Sequence, residues 1–129
     1  KDEKEDYWVN LIESYLEKND YDSILIPAYD DSHFEHRKIS RLGKALIRNK
    51  KYSLIEYYTP STQNSWIPNT YIDITSEYDV KLKSLYEFKS QLKRFYFKDS
   101  VIRDFHSDFQ CSKKNISHVE KYKVLDLFN

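Results

Sequence analysis

The chain has 129 residues, 40% of them hydrophobic and 33% charged, with 12 Tyr and 7 Phe. That is enough apolar surface to offset the conformational entropy that leaves low-hydrophobicity chains unfolded, over a length that fits one globular domain. Lys and Arg total 21, as do Asp and Glu, so there is no excess positive field to release counterions from a nucleic acid or to hold an anionic membrane.

Lys1 to Asp6 is a charged run with neither Met nor the apolar core of a signal peptide, as a fragment or a trimmed chain would begin. Trp8, Leu11, Ile12, Tyr15 and Leu16 follow at i, i+3, i+4, i+7 and i+8, which predicts a helix over residues 6–17 with one apolar stripe. Asn19-Asp20-Tyr21-Asp22 is a turn signal, and Ser23-Ile24-Leu25-Ile26-Pro27 reads as a buried strand of a parallel sheet. Ile24 to Ala28 is the longest apolar stretch; broken by Pro27, it is far below the roughly 20 residues that span a bilayer.

The loop Ala28-Tyr29-Asp30-Asp31 leads to Ser32 as an N-cap and to a helix with Ile39, Leu42, Gly43, Leu46 and Ile47 on one face. Lys38, Arg41, Lys44 and Arg48 lie on the other. Gly43 is the only glycine, where average usage of about 7% would supply about nine, so phosphate-cradling loops of the Walker or dinucleotide type are excluded.

Residues 52–58 read as the next strand, and Thr59 to Asn69, with Pro60 and Pro68, as a long loop of the kind that often carries function. Tyr57, Tyr58, Trp66 and Tyr71 are favoured as ordinary packing, with a sugar-stacking platform as the alternative. Residues 71–74 predict a short strand, with Thr75 or Ser76 capping a helix whose inner face carries Tyr78, Leu82, Leu85 and Leu92. Another helix is predicted over residues 101–109, and a strand over 118–128. Cys111, the only cysteine, excludes an intrachain disulfide and a cysteine-built zinc site and points to a reducing, cytoplasmic compartment. Cys111, His106 and His118 are read as structural.

Strands alternating with helices predict an α/β domain over residues 1–129: a three-layer, Rossmann-like, mainly parallel sheet with helices on both faces. Ligands of such sheets bind beyond the carboxyl ends of the strands, where the strand ending at Pro27 delivers Asp30, Asp31, His33, Glu35 and His36. With Ser32 as the cap, His33 would take the first helical position, and His36, three residues later, would lean toward the sheet. The positive end of the helix disfavours protonated imidazole and so favours a lone pair on His36 for Zn²⁺. Two plainer readings stand beside this one. Ser32-x-x-Glu35 is also a capping box, the favoured role for Glu35 alone, and an isolated His-x-x-His is more often solvated or hydrogen-bonded than ligating.

Several motifs, in order, resemble the PIG-L/LmbE-like zinc-dependent N-acetylglucosamine deacetylases. Residues 22–27 are similar to the family's strand, and His33-Phe34-Glu35-His36-Arg37 to its His-Pro-Asp-His-Arg motif. Tyr71-Ile72-Asp73-Ile74-Thr75 resembles a strand-to-helix junction of the family, Lys81 and Ser90-Gln91 its following helix, and His118-Val119-Glu120-Lys121-Tyr122 its closing aromatic-Ala-Glu-x-Phe strand.

The resemblance implies a hydrolase that removes an N-acetyl group from an amino sugar or glycoconjugate. His36 would be a Zn²⁺ ligand, His33 the residue that stabilises the tetrahedral intermediate or protonates the leaving amine, and Glu35 the stand-in for the Asp that supports the histidines. Phe34 replaces the family's Pro and Glu35 its Asp, and the His-Pro-Asp-Asp-Glu motif, with two further ligands and the general base, is absent. The chain is therefore expected to be the C-terminal half of such a domain, inactive alone and completed by an N-terminal segment or by homo-oligomer formation. The competing expectations are a non-catalytic carbohydrate-binding or interaction module on the same fold, and a different metallohydrolase completed by a partner chain or by Asp31 and another internal ligand.

Overall fold

A computed structural model of the chain describes residues 3–49 and 52–127. The helix α1 (Glu3–Leu16) leads through a turn to the strand β1 (Ser23–Pro27), the helix α2 (Phe34–Ala45) and a 3₁₀ turn (Leu46–Asn49). Then come β2 (Ser53–Tyr57), β3 (Thr70–Asp73), α3 (Tyr78–Tyr86), two short 3₁₀ turns, α4 (Asp99–Phe105), α5 (Phe109–Ser112) and β4 (Val119–Asp126). The protein is mixed α/β, with one sheet of strand order β1-β2-β4-β3. β1 and β2 pair in parallel from Ser23↔Ser53 to Pro27↔Tyr57. β2 pairs antiparallel with β4, and the register shifts between Leu54 and Ile55. Among the described residues no helix is long and apolar enough to cross a membrane.

The chain forms two compact units, one of residues 3–49, 52–70 and 122–127 and one of residues 71–121. In the first, Val9, Leu16 and Leu46 are buried together, with Ile12, Ile24, Leu42, Ala45 and Tyr52 packed around them. The buried face of α1 is thus Val9, Ile12 and Leu16, at i, i+3 and i+7. Of the stripe expected through Trp8, Leu11, Ile12, Tyr15 and Leu16, Ile12 and Leu16 face the core, whereas Trp8, Leu11 and Tyr15 are 46%, 45% and 60% exposed. Apolar side chains cover more than one face of α1, so spacing alone does not choose the inner one. The inner face of α2 is likewise Ser40, Gly43 and the following Leu46, while Ile39 is exposed.

In the second unit Ile74, Tyr78 and Ile102 form the core, joined by Leu82, Leu85 and Tyr86. Leu92 falls beyond α3 and is exposed. The expected Thr75 or Ser76 cap is not used. Glu77 precedes α3 without a side-chain bond, and Thr75 Oγ1 instead accepts from the backbone N–H groups of Ser117 and His118. The helix expected over residues 101–109 is two helices, because Asp108 caps α5 by accepting from the N–H groups of Gln110 and Cys111. Lys81 on α3 and Glu120 on β4 form an ion pair. The closing strand lies within the predicted one, except that Phe128 is outside the described residues.

His106 is 2% exposed. Its Nδ1 is 2.7 Å from the Ile102 carbonyl and so carries the proton, which leaves Nε2 buried without a partner among the described residues. Burial pushes its pKa below the usual 6.5, against a smaller upward pull from the Ile102 carbonyl. A histidine with a depressed folded pKa stabilises the fold above its unfolded pKa of about 6.5, and that stability is lost as pH falls toward the folded value. Thermal melts from pH 7.5 to 5 are therefore expected to show a declining midpoint, flattened in His106→Phe. An equal slope in the variant would assign the loss to another group.

Candidate functional site

Beyond β1 the chain runs against the loop that follows β2. The Ala28 N–H donates to the Tyr57 carbonyl (3.1 Å), Ser32 N–H to the Ser61 carbonyl (3.0 Å) and Gln63 N–H to the Asp30 carbonyl (2.8 Å). An isolated antiparallel bridge joins Asp31 and Thr62. These bonds hold Asp31 at 1% exposure, directly before α2.

Asp31 is the centre of the site. Its Oδ1 accepts from the His33 backbone N–H at 2.7 Å. Its Oδ2 accepts from Thr59 Oγ1 at 2.7 Å and Thr62 Oγ1 at 3.4 Å, and lies 3.1 Å from His36 Nδ1. Burial pushes the carboxyl up, but bonds from the His33 N–H, from the hydroxyls of Ser61 and Thr59, and from the His36 ring outweigh it, and the pKa falls from 3.8 to about 2. The group is a carboxylate at neutral pH and can only accept. His36 must therefore direct its Nδ1–H at Asp31, which leaves the lone pair on Nε2.

The same geometry excludes a serine-nucleophile triad. Ser61 Oγ lies 3.2 Å from His36 Nδ1, the nitrogen already facing Asp31, whereas such a nucleophile must meet the opposite ring nitrogen. What remains is an oriented imidazole with a buried carboxylate behind it, the arrangement that fixes metal-ligating histidines. His36 is 30% exposed, and His33, itself exposed, stacks on it with ring centroids 4.7 Å apart and planes at 27°.

The local caps differ from the expectation. The N-cap of α2 is His33, with φ −78° and ψ 122°, and it makes no side-chain cap bond. Ser32 Oγ donates to the Ser61 carbonyl at 3.1 Å, so the Ser32–Glu35 capping box does not form. The Asp31 carboxylate takes over by accepting the His33 N–H. Glu35 is exposed and makes no hydrogen bond among the described residues.

The site thus brings Asp31, His33 and His36 together and leaves Glu35 outside their network. Thr59, Ser61 and Thr62 were not expected there; the run of hydroxyl residues in the loop after β2 was their only trace in the sequence. Trp66 is buried, donating Nε1–H to Glu56 Oε2 at 2.8 Å and stacked on Tyr58, so it packs and does not offer a stacking platform. Cys111 is half-buried, and burial and Asp108 push its thiol pKa up, against a nucleophilic role. His118 stacks on Tyr78 with centroids 3.6 Å apart.

As a zinc ligand His36 fits, since its Nε2 carries the lone pair and its Nδ1 has a carboxylate partner. A full ligand set does not: among the described residues no group of three or more His, Cys, Asp and Glu could hold a metal ion. The chain matches no protein-family model and no curated protein.

Proposed function

We propose that this chain supplies the histidine portion of a zinc-dependent N-deacetylase acting on an N-acetylated amino sugar or glycoconjugate. The observation that carries the reading is the buried Asp31 carboxylate on His36 Nδ1, at the carboxyl end of a strand in a parallel pair. The ordered resemblance to the PIG-L/LmbE-like enzymes, His33-Phe34-Glu35-His36-Arg37 above all, supplies the reaction class. On this reading the sheet belongs to a three-layer Rossmann-like domain in a cytoplasmic enzyme, and the remaining ligands and the base come from outside these residues.

Bound zinc would polarise the acyl carbonyl and acidify a water. The chain's own residues have separate tasks. Asp31 fixes the tautomer and direction of His36, and the hydroxyls of Thr59 and Thr62 fix Asp31. The exposed His33 ring, which stacks beside His36, would hold or release a proton at the leaving amine.

The test is a Zn²⁺ titration followed by imidazole NMR. The His36 ring signals are expected to respond ahead of those of His106 and His118, and His36→Ala is expected to remove the response while leaving the fold intact. Equal zinc uptake by His36→Ala and the parent would end the assignment.

A further inference from the structure

The helix α2 has a second face. Phe34, Arg37, Lys38 and Arg41 recur at i, i+3, i+4 and i+7 and line a cleft of about 240 Å³ that Tyr29 and Glu5 complete. His36, Ser40 and Gly43 occupy a different side of the helix, and the first of them faces Asp31. The cleft is therefore separate from the histidine site and does not depend on the deacetylase reading.

Its electrostatics are unbalanced in a chain of net charge +0. Glu5 is spent on Arg41. Arg37 donates Nη1–H to the carbonyl oxygens of Asp31 at 2.7 Å and Ser32 at 2.9 Å, which anchors the guanidinium without neutralising it. Among the described residues, neither Arg37 nor Lys38 has a carboxylate partner. Two uncompensated cations beside an arginine suit a doubly charged anion, and the anchored Arg37 reaches it with little further loss of side-chain entropy.

The rim is aromatic. Phe34 is 68% and Tyr29 46% exposed. Tyr29 is braced: its backbone N–H donates to Glu56 Oε1 at 3.3 Å and Lys44 Nζ lies 4.6 Å from its ring centroid. Lys44 is in turn 3.0 Å from Glu56 Oε1. A phenyl and a phenol beside a cationic floor match a ligand with a ring at one end and charge at the other. The volume lies just under the usual ligand range of roughly 300–1,000 Å³, which favours one ring with its charged group over a longer oligomer.

We propose that the cleft lined by Tyr29, Phe34, Arg37, Lys38 and Arg41 binds a small phosphate monoester carried on a ring. A phosphate monoester bears about −1.5 to −2 at pH 7 and so matches the uncompensated cations, where a carboxylate meets only one of them.

The test uses phenyl phosphate, with inorganic phosphate, benzoate and phenol as comparisons, followed by amide and side-chain NMR of the whole chain. Phenyl phosphate is expected to give saturable shifts at Tyr29, Phe34, Lys38 and Arg41, with inorganic phosphate and benzoate weaker and phenol silent. Lys38→Glu should weaken phenyl phosphate by at least roughly tenfold, the scale of one lost charge-assisted bond. Phe34→Ala should weaken phenyl phosphate but leave inorganic phosphate unchanged. Both side chains lie away from the buried core, and each variant's amide spectrum reports whether it folds as the parent does. Shifts mapping elsewhere, no saturation, equal binding of phenol or benzoate, or an unaffected Lys38→Glu would each overturn the proposal.

Discussion

Gly43→Val is expected to destabilise the first unit by about 3 kcal/mol, and Gly43→Ala by about 1 kcal/mol. A Cβ at position 43 would overlap Ile26 Cγ2, far inside the ~3.5–4.0 Å optimum for carbon atoms, while Cδ1 and Cβ of the same side chain would lie at 3.4 and 3.5 Å. Ile26 cannot readily give way. It is 3% exposed, paired with Glu56 in the sheet and stiff at χ1 because it is β-branched. Alanine in a helix interior normally gains about 1 kcal/mol over glycine, and here the overlap outweighs that gain. The decisive comparison is Ile26→Ala, which removes the Cγ2 atom. In that background Gly43→Ala should change sign and become stabilising in urea unfolding, and an unchanged sign would show that the contact does not control the position.

Gly43 also illustrates what the sequence could convey. A single glycine among Ile39, Leu42, Leu46 and Ile47 placed it on the apolar side of a helix, and the structure seats it on β1. The strands of the parallel pair were readable because short apolar runs bounded by turn residues and Pro carry a strong local signal, and both observed strands fall within the predicted spans. The pairing of β2 with β4 was not readable, since an antiparallel partner some 65 residues away leaves no local trace, and the sheet expected to be mainly parallel is mixed in these strands.

Only part of the inner face of α1, Ile12 and Leu16, was readable, for a related reason. Trp8, Leu11 and Tyr15 have the spacing of a core stripe, but a helix with apolar residues all round offers several equivalent stripes, and only the packing of Leu46 and Ile24 selects Val9, Ile12 and Leu16. At the site, His33 and His36 could be singled out because histidine is rare and the strand-loop-helix order delivers them to one edge. Asp31 could be placed at that same edge from the sequence, but its part in orienting His36 could not. Its role depends on Thr59 and Thr62, 28 and 31 positions away, and such donors become visible only in three dimensions.

Removing the Asp31 acceptor is expected to have the largest effect of any single change in the site. Asp31→Ala takes the acceptor away from the His33 N–H and from the Thr59 hydroxyl and should cost about 2–4 kcal/mol, at roughly 1–3 kcal/mol for each donor that loses it. Asp31→Asn is the more informative variant. An amide at the Oδ2 position would meet three donors, and the Thr59 and Thr62 hydroxyls can rotate to accept from it. The His36 ring cannot rotate its proton away; it must move it to Nε2, so that Nδ1 accepts. Nitrogen chemical shifts of the imidazole should therefore report the Nε2–H tautomer in Asp31→Asn and the Nδ1–H tautomer in the parent, and zinc should no longer perturb the ring. Acid stability gives an independent reading. With the folded pKa at about 2 against 3.8, the carboxylate stabilises the fold by about 2 kcal/mol above the unfolded value, and this is lost as pH falls from about 4 to 2. Asp31→Asn should lose about 2 kcal/mol less than the parent across that window, because position 31 then has nothing to titrate while carboxylates such as Asp73 and Asp108, also held below their usual pKa, titrate in both proteins. A variant that keeps the parent's tautomer and its acid slope would mean that Asp31 does not orient His36, and the metal-ligand reading would lose its physical support.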